Sequence, residues 1–400
     1  MWSVALAGLA LAQEVALPAA LPDEQVAAAV ALEPVVEPES VVDPVHVVDP
    51  EPVEPATLPL DLDAHLHGYA AAGASIYGSA PLGFSLGDLI MAYDANLDGY
   101  ATFQGEISYE LREQNSMPMD VEVLDIAVRP NPNVAIHVGR FRNPMTPWSE
   151  LGLHGSYRYT ALAPPEILTV EHQGGLLPIH LVGVWGAARK DLGFWSTGAD
   201  IAVTNGRSSW LSSIPQGGDT GWFKAVLTRV WLRSPDGVTV SVGGYVDRIA
   251  AATQVEEGTP VDLGLALDTI VDEQILSLTL VSQAPHLELL GEGYAIWHTA
   301  SGQTTLDSGG YLQAGWRARS VMPYVRAEYI DSRPSDPVAA LFDRARFEGK
   351  GSLGLRWDLA LHAAVKFQVD VLSEQYRPVV GAPEPFYTKG GGHLELSAGF

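Results

Sequence analysis

The sequence predicts an all-β fold, a transmembrane antiparallel β-barrel of about 16 strands with a long third outer loop, preceded by a disordered Pro-rich acidic arm. Apolar and polar residues alternate over strand-length runs from His65 onward, and a period of two is that of a strand with two different faces. The last ten residues, GGHLELSAGF, put four apolar side chains ending with Phe400 on one face. No run of about 18 apolar residues follows the N-terminus, which excludes helical membrane spans.

The first twelve residues predict a secretory signal peptide. The segment MWSVALAGLALAQ is a short apolar run that ends in small residues, so we expect cleavage after Ala12. No Lys or Arg precedes the apolar run, which leaves open a start upstream of Met1. Export is the favoured interpretation.

Residues 13–62 predict an extended arm rather than a packed domain. Prolines recur every few residues, and residues 13–63 hold twelve Asp and Glu with no Lys or Arg. Such composition favours an unpaired, self-repelling chain. We expect a periplasmic spacer; a segment that docks on a partner or on the cell wall is the alternative.

Residues 63–400 predict the barrel itself. For example, His362, Lys366 and Asp370 lie on the opposite strand face from Val365 and Val369. The predicted strands are 65–77, 83–94, 99–112, 119–129, 133–143, 178–187, 192–204, 221–233, 237–249, 273–283, 286–298, 307–318, 322–332, 347–357, 361–373 and 391–400. An even number of strands is what bacterial barrels require.

The connections predict which end of the barrel faces which compartment. Counted back from a periplasmic C-terminus, every second connection is a tight, proline-containing turn, as at 129–133, 234–237, 283–286 and 320–323. The intervening connections are mostly longer, and the third, from about 143 to 177, is the longest. Short periplasmic turns with long outer loops are typical of outer-membrane barrels.

Several short motifs then carry a resemblance to a known family. The region VEVLDIAVRPNPNVAIHVGRFRNPMTPW resembles the Gly-Arg-Phe-x-x-Pro-x-x-x-Trp region of phosphate-selective-porin-like (O/P-type) outer-membrane proteins, with matches at Gly139, Arg140, Phe141, Pro144 and Trp148. VTNG (203–206), GGYLQAGWR (309–317) and PYVRAEYID (323–331) fit the same pattern.

The resemblance implies a bacterial outer-membrane porin, a water-filled channel for passive diffusion of small hydrophilic solutes or ions. It also implies contacts with outer-membrane lipid and lipopolysaccharide, a homotrimer, and recognition of the Phe400 strand by the barrel assembly machinery. In sixteen-stranded porins the third loop folds into the pore. Selectivity for phosphate does not carry over, because the five lysines lie on distant strands.

The strand alternation predicts which charged residues face the lumen. This predicted wall is mixed in sign and would sort solutes by charge and width; for each residue, simple solvation of the wall is the alternative. It comprises Glu106, Glu110, Arg112, Glu288, Glu292, Arg317, Arg326, Glu328, Glu348, Lys350, Arg356, Lys366 and Asp370.

The long loop and its base supply the predicted constriction. Arg140 and Arg142 approach the base of the loop and form the predicted anion-facing cluster, since arginine keeps its charge. The alternative places both at the outer rim. If the loop enters the pore, the selectivity residues would be Glu150, His154, Arg158, Glu166 and Glu171.

Three motifs suggest other chemistry only weakly. Residues 94–100 begin like a calcium loop, but the twelfth position is Gly105, so a hairpin turn is the better interpretation. His65 and His67 lie on one strand face without an evident third metal ligand. Ser85 sits in a Gly-x-Ser-x-Gly pattern that lacks the helix of a nucleophile elbow.

Composition and motifs limit the other functions. The net charge of −25 argues against a nucleic-acid partner, and no motif predicts a cofactor. The absence of cysteine excludes a disulfide framework. We expect no enzyme, because no Ser-His grouping stands out. The main alternative to the channel is a plugged structural barrel that tethers the outer membrane through its acidic arm.

Overall fold

A computed structural model describes residues 62–109, 119–152, 156–168, 176–207, 223–251, 267, 269–341, 346–376 and 386–400. They form a closed barrel of sixteen strands, the number predicted. The strands are Leu62–Tyr77 (β1), Gly83–Leu97 (β2), Ala101–Tyr109 (β3), Met119–Asn131 (β4), Val134–Arg142 (β5), His180–Leu192 (β6), Trp195–Thr204 (β7), Ala225–Arg233 (β8), Val238–Ile249 (β9), Val271–Gln283 (β10), Leu287–Ala300 (β11), Gln303–Trp316 (β12), Val321–Asp331 (β13), Arg346–Ala360 (β14), Ala363–Tyr376 (β15) and Phe386–Gly399 (β16). The predicted arm and signal peptide lie outside the described residues and stay predictions.

Helical structure is confined to connections. Two short α-helices are Pro147–Gly152 (α1) and Pro337–Leu341 (α2), and two 3-10 turns are Ser156–Arg158 and Glu166–Leu168. None of the described helices is long and apolar enough to cross a membrane.

The barrel closes through its first and last strands. Every strand pairs antiparallel with its neighbours in sequence, and β1 pairs with β16 from Tyr69 opposite Gly399 to Tyr77 opposite Gly391. The amide of Gly68 donates to the carbonyl of Phe400 at 3.2 Å, and the Phe400 amide donates back at 3.0 Å. Closure leaves no sheet edge with unpaired backbone groups.

Side chains alternate between an apolar outer face and a polar inner face. Along β13, Arg326 and Glu328 are buried inside the barrel, whereas Val325 and Tyr329 are exposed on its outside. The same alternation holds in the C-terminal half of β16, where Ser397 is buried and Leu394 and Leu396 are exposed. The predicted alternation of these strands is confirmed.

Aromatic side chains ring the outer surface near both ends of the barrel. Trp195, Trp316, Trp357 and Phe400 are exposed near one end, and Phe84, Tyr329 and Phe386 near the other. Two aromatic girdles around an apolar band are typical of barrels that lie in a bilayer.

The connections also alternate in length. At the short-turn end the connections are 98–100, 132–133, 193–194, 234–237, 284–286, 317–320 and 361–362. At the long-loop end most are longer, and 143–179 is the longest. The connection between β11 and β12 is shorter than predicted: both strands extend to a two-residue turn in which Ser301 and Gly302 have φ of 50° and 77°. Positive φ at both positions gives the tight hairpin geometry that continues the strands.

Candidate functional site: the inner loop and the lumen

The connection between β5 and β6, residues 143–179, is called the inner loop, and its described stretches, 143–152, 156–168 and 176–179, lie inside the barrel. The side chain of Asn143 donates to the carbonyl of Pro178 at 2.6 Å and closes the loop at its base. Further along, the hydroxyl of Tyr157 donates to the carbonyl of Leu361, which lies in a short turn. The inner loop therefore reaches from the long-loop end of the barrel to its short-turn end.

Helix α1 of the inner loop packs against aromatic side chains of the barrel wall. Trp148 is buried, and its ring meets the ring of Tyr311 edge-on with centroids 6.0 Å apart. The amide of Trp148 donates to Glu292 Oε1 at 2.7 Å, and the Tyr311 hydroxyl donates to the same oxygen at 2.8 Å. Glu292, predicted to line the lumen, thus binds the start of α1.

The second half of the inner loop lies on charged side chains of β13 and β14. Arg326 donates to the carbonyl of Ala163 at 2.7 Å and to Glu328 at 2.8 Å. Glu328 accepts the amide of Glu166 at 2.6 Å, and Lys350 Nζ lies 2.7 Å from Glu166 Oε1. Loop backbone groups without a sheet partner gain their hydrogen bonds in this way.

Cations of β14 and β15 bind the part of the inner loop that reaches the short-turn end. Arg356 donates to the carbonyls of Tyr157 and Tyr159 at 2.7 and 2.9 Å. Lys366, fully buried, donates to the carbonyl of Ala161 at 3.2 Å. These cations and Glu328 face inward, but they contact the loop rather than open water.

Two further predicted wall residues also bind protein groups. Glu288 accepts the hydroxyl of Thr160 at 2.8 Å and the amide of Gln313 at 2.7 Å. Arg317 follows β12 at the short-turn end and pairs with Asp358 at 2.8 Å.

The other predicted residues of the loops and wall are only partly placed. Glu110, Arg112, His154 and Glu171 lie outside the described residues, and Glu150 belongs to α1 with its side chain outside them.

A cavity of about 400 Å³ remains between the inner loop and the wall formed by β1 to β6. Its charged lining is largely paired: Arg142 bonds to Glu106, and His137 Nδ1 lies 2.6 Å from Asp125 Oδ2. The lining also includes His67, Asp94, Arg158 and Trp185. Three of the predicted pore residues, Glu106, Arg142 and Arg158, line this cavity.

Arg158 differs from the other cations that line this cavity. It belongs to the inner loop, is exposed, and lies 5.6 Å from the centroid of the Tyr69 ring. Among the described residues it forms no ion pair. A guanidinium over an aromatic face keeps its charge, so Arg158 supplies a positive charge beside the cavity that no described carboxylate pairs with.

Arg140 has a different place from its predicted partner Arg142. Its Nε donates to the backbone carbonyl of Glu122 at 3.1 Å, and Nη2 lies 3.6 Å from the carboxylate of the same residue. It does not line either large cavity. The predicted arginine cluster is therefore divided between a wall contact and a cavity contact.

A second cavity of about 1060 Å³ opens at the short-turn end and extends to Pro147 of the inner loop. Trp185 lines both cavities, and its indole N–H donates to Asp200 at 3.1 Å. Asp200 also pairs with Arg229 at 2.8 Å. The two cavities therefore lie next to each other, with Trp185 in the wall of both.

The larger cavity contains three arginines that are not among the predicted wall residues. Arg129, Arg189 and Arg233 line it and form no ion pair within the described part of the chain. Arg189 binds the Pro132 carbonyl at 3.1 Å, and Arg233 lies over the Trp231 ring at 5.9 Å. Their position next to tight turns is a signal that the sequence carries, because successive short turns gather at one mouth.

The three weaker motifs find ordinary places in the barrel. The 94–100 segment ends β2 and forms the predicted hairpin turn, with φ of 72° at Gly99. Ser85 lies within β2 and is not followed by a helix. His65 and His67 lie 3.1 and 3.4 Å from Asp63 and Asp94.

Comparison with solved structures identifies the architecture. OmpT, an outer membrane protein of Vibrio cholerae, aligns with a TM-score of 0.56 and 12% identity over 85% of this chain and 98% of its own. An anion-selective porin from Comamonas acidovorans gives 0.56 and 13%, over 85% and 100%. OmpF of Salmonella typhi, in complex with daunomycin, gives 0.51 and 8%, over 84% and 97%. The chain has the fold of outer-membrane porins.

The comparisons support this architecture and not the narrower family. No protein-family model and no curated protein matches the sequence. The resemblance to phosphate-selective-porin-like proteins is therefore supported only at the level of a porin-like barrel, and membership of that family stays a prediction.

Proposed function

We propose that this protein is an outer-membrane porin through which small hydrophilic solutes and ions diffuse passively. The observation that carries the proposal is that two neighbouring cavities share Trp185 in their walls, beside an inner loop whose described residues leave the β1 to β6 side of the lumen unfilled. Polar walls inside and an apolar band outside are the requirements of a water-filled pore in a bilayer.

We assign the constriction to the smaller cavity. Arg142 is paired with Glu106 there, and His137 lies beside Asp125, so fixed polar and charged groups line this smaller space. Arg158 adds a positive charge without an ion partner among the described residues, and the arginines of the larger cavity add more at one mouth. Since fixed charges near the path select ions of opposite sign, we expect a preference for small anions.

The wider setting belongs to the same proposal. A trimer form is described for the Vibrio cholerae protein, and a homotrimer in outer-membrane lipid with lipopolysaccharide contacts is proposed here by analogy. The barrel assembly machinery would recognise the C-terminal strand that ends in Phe400. The acidic arm would lie in the periplasm, where β1 begins if the short turns face that compartment.

Single-channel recording in planar bilayers tests the proposal directly. Purified protein should give stable conductance steps, and a salt gradient should give a reversal potential of the sign expected for anions. Folding is checked separately by the heat-dependent gel shift of an intact barrel. Repeated absence of conductance steps from folded protein would overturn the proposal that this protein is a porin.

Substitution of Arg158 tests the assignment of the constriction. Arg158→Gln should lower the anion-to-cation permeability ratio about two- to fivefold, the effect of one charge near the path in a high-dielectric pore. Arg248→Gln removes the same charge at an exposed position that lines neither large cavity, and should leave the ratio unchanged. If Arg158→Gln and wild type gave equal anion-to-cation permeability ratios with conductance intact, the role assigned to Arg158 would be wrong, but the porin proposal would stand.

The alternative function is a plugged barrel that tethers the membrane. It is favoured by the extent of the inner loop, which binds four strands of the wall through Glu292, Arg326, Lys350 and Lys366. The same recordings decide between the two, because a tether predicts folded barrels without conductance.

A further inference from the structure

A buried group of three metal-ligating side chains lies at the long-loop end, away from both cavities. His298 is near the end of β11, Asp307 is in β12, and Asp336 directly precedes α2. All three have no exposed surface, and each offers one ligand atom within 4.8 Å of the other two.

The imidazole of His298 is oriented by a carboxylate at its second ring nitrogen, as the ring of a metal-binding histidine commonly is. Its Nε2 lies 3.0 Å from Glu273 Oε1, and Glu273 is bound in turn by Arg207 Nε at 3.0 Å. A carboxylate that accepts the second ring N–H fixes the tautomer and the orientation of a metal-binding histidine. Nδ1 then faces Asp336 Oδ2 at 2.7 Å.

Asp307 supplies an independent sign of a missing ligand. Its Oδ1 accepts the amide of Arg333 at 2.8 Å, whereas its Oδ2 is buried and has no hydrogen-bond partner among the described residues. A buried carboxylate oxygen without a partner loses its hydration without compensation. A cation at that oxygen would remove the penalty.

The surrounding charges favour a dication. Four acidic groups face two basic ones in this region: Asp247, Glu273, Asp307 and Asp336 against Arg207 and His298. Burial lowers the pKa of Arg207, but the charge of Glu273, its hydrogen bond to Arg207 and the charges of Tyr245 and Asp247 together raise that pKa above its usual value, so the guanidinium stays charged. The nearby Arg248 and Arg333 are directed at Asp272 and Asp331 instead.

We propose that His298 Nδ1, Asp307 and Asp336 bind a divalent transition-metal ion such as Zn²⁺, which replaces the proton between His298 and Asp336. One imidazole with two carboxylates is a donor set that suits such ions. Asp336 Oδ1 also accepts the amides of Val338 and Ala339 at 2.9 and 2.8 Å. The ion therefore fastens the β13–β14 connection to β11 and β12.

Metal uptake by the full-length barrel tests the site. Protein folded in detergent is washed with a chelator, dialysed against Zn²⁺ and analysed for bound metal, and one ion per chain is expected. Asp307→Asn should weaken binding at least about tenfold. Asp272→Asn removes a carboxylate at the same end that already pairs with Arg248, and should bind as wild type does.

Two further readouts separate loss of the site from loss of the fold. Binding to wild type should release protons into weakly buffered solution, because the ion displaces one, and should raise the temperature of the heat-dependent gel shift. Asp307→Asn should still show that gel shift, without the metal-dependent rise. Failure of wild type to take up Zn²⁺ at millimolar concentration, or equal uptake by Asp307→Asn, would overturn the proposal.

Discussion

Charged side chains inside this barrel form hydrogen bonds with the backbone of the inner loop. Arg326, Arg356 and Lys366 each donate to a loop carbonyl. A carbonyl held away from water and away from a sheet partner is costly, and a charge-assisted hydrogen bond removes that cost. Replacing these cations should therefore change the stability of the loop before it changes ion flow.

The pair between Lys350 and Glu166 gives a test at this scale. Lys350 is 8% exposed and pairs with Glu166 at 2.7 Å, so Lys350→Gln leaves carboxylates uncompensated and should cost about 2–4 kcal/mol. Lys389 pairs with Glu374 at 3.4 Å but is 49% exposed, so Lys389→Gln should cost less than about 0.5 kcal/mol.

Equilibrium urea unfolding in lipid vesicles, followed by tryptophan fluorescence, measures both losses of unfolding free energy. Losses of equal size in the two variants would show that Lys350 is as well solvated as Lys389, contrary to its burial against the inner loop.

At the scale of elements, the strands could be predicted because their signal is local. A strand with one apolar and one polar face has alternating apolar and polar residues in its sequence. Each of the sixteen predicted strands overlaps an observed one. The ends were less predictable. Strands β11 and β12 continue to Ser301 and Gly302, because a two-residue turn of polar and small residues resembles a longer loop in sequence.

The candidate site could be predicted only in part, because alternation gives the direction of a side chain and not what it meets. Arg326 and Lys366 were correctly expected to point inward, but their contacts depend on a loop distant in sequence. Arg129 and Arg233 border short turns, and only the assembled mouth brings them to one cavity.

Close strand approach at Gly183 gives a test of an element. A Cβ at this position would meet the backbone of β7 at Val203 and Thr204, which cannot move aside without opening the β6–β7 pair. A Cβ added at Gly293 in β11 would meet no described atom within 4 Å, so this glycine serves as the matched site.

Gly183→Ala should therefore lose about 1–3 kcal/mol of unfolding free energy, as overpacking does, while Gly293→Ala should lose little. The gel-shift temperature and urea midpoint of the two variants provide the comparison. A Gly183→Ala barrel as stable as Gly293→Ala would mean that the two strands can separate locally at no cost.

At the scale of the whole barrel, the two ends differ in charge. Arginines that have no ion pair within the described ranges gather at the short-turn end, whereas the buried acidic groups around His298 lie at the long-loop end. Charges at a wide mouth act on ions through water, so they raise the local anion concentration without direct contact. Arg158, by contrast, lies where the proposed path is narrow.

This difference predicts two distinct responses to salt. The triple variant Arg129→Gln, Arg189→Gln and Arg233→Gln should reduce anion preference at about 0.1 M salt, where the Debye length is about 10 Å, and have little effect at about 1 M, where it is about 3 Å. Arg158→Gln should reduce the preference at both concentrations, because a permeating ion passes the side chain within the screening length. Reversal potentials of both variants at the two salt concentrations make the comparison. If the triple variant kept its effect at the higher concentration, the mouth arginines would contact the ions directly, and the constriction would have to be placed in the larger cavity.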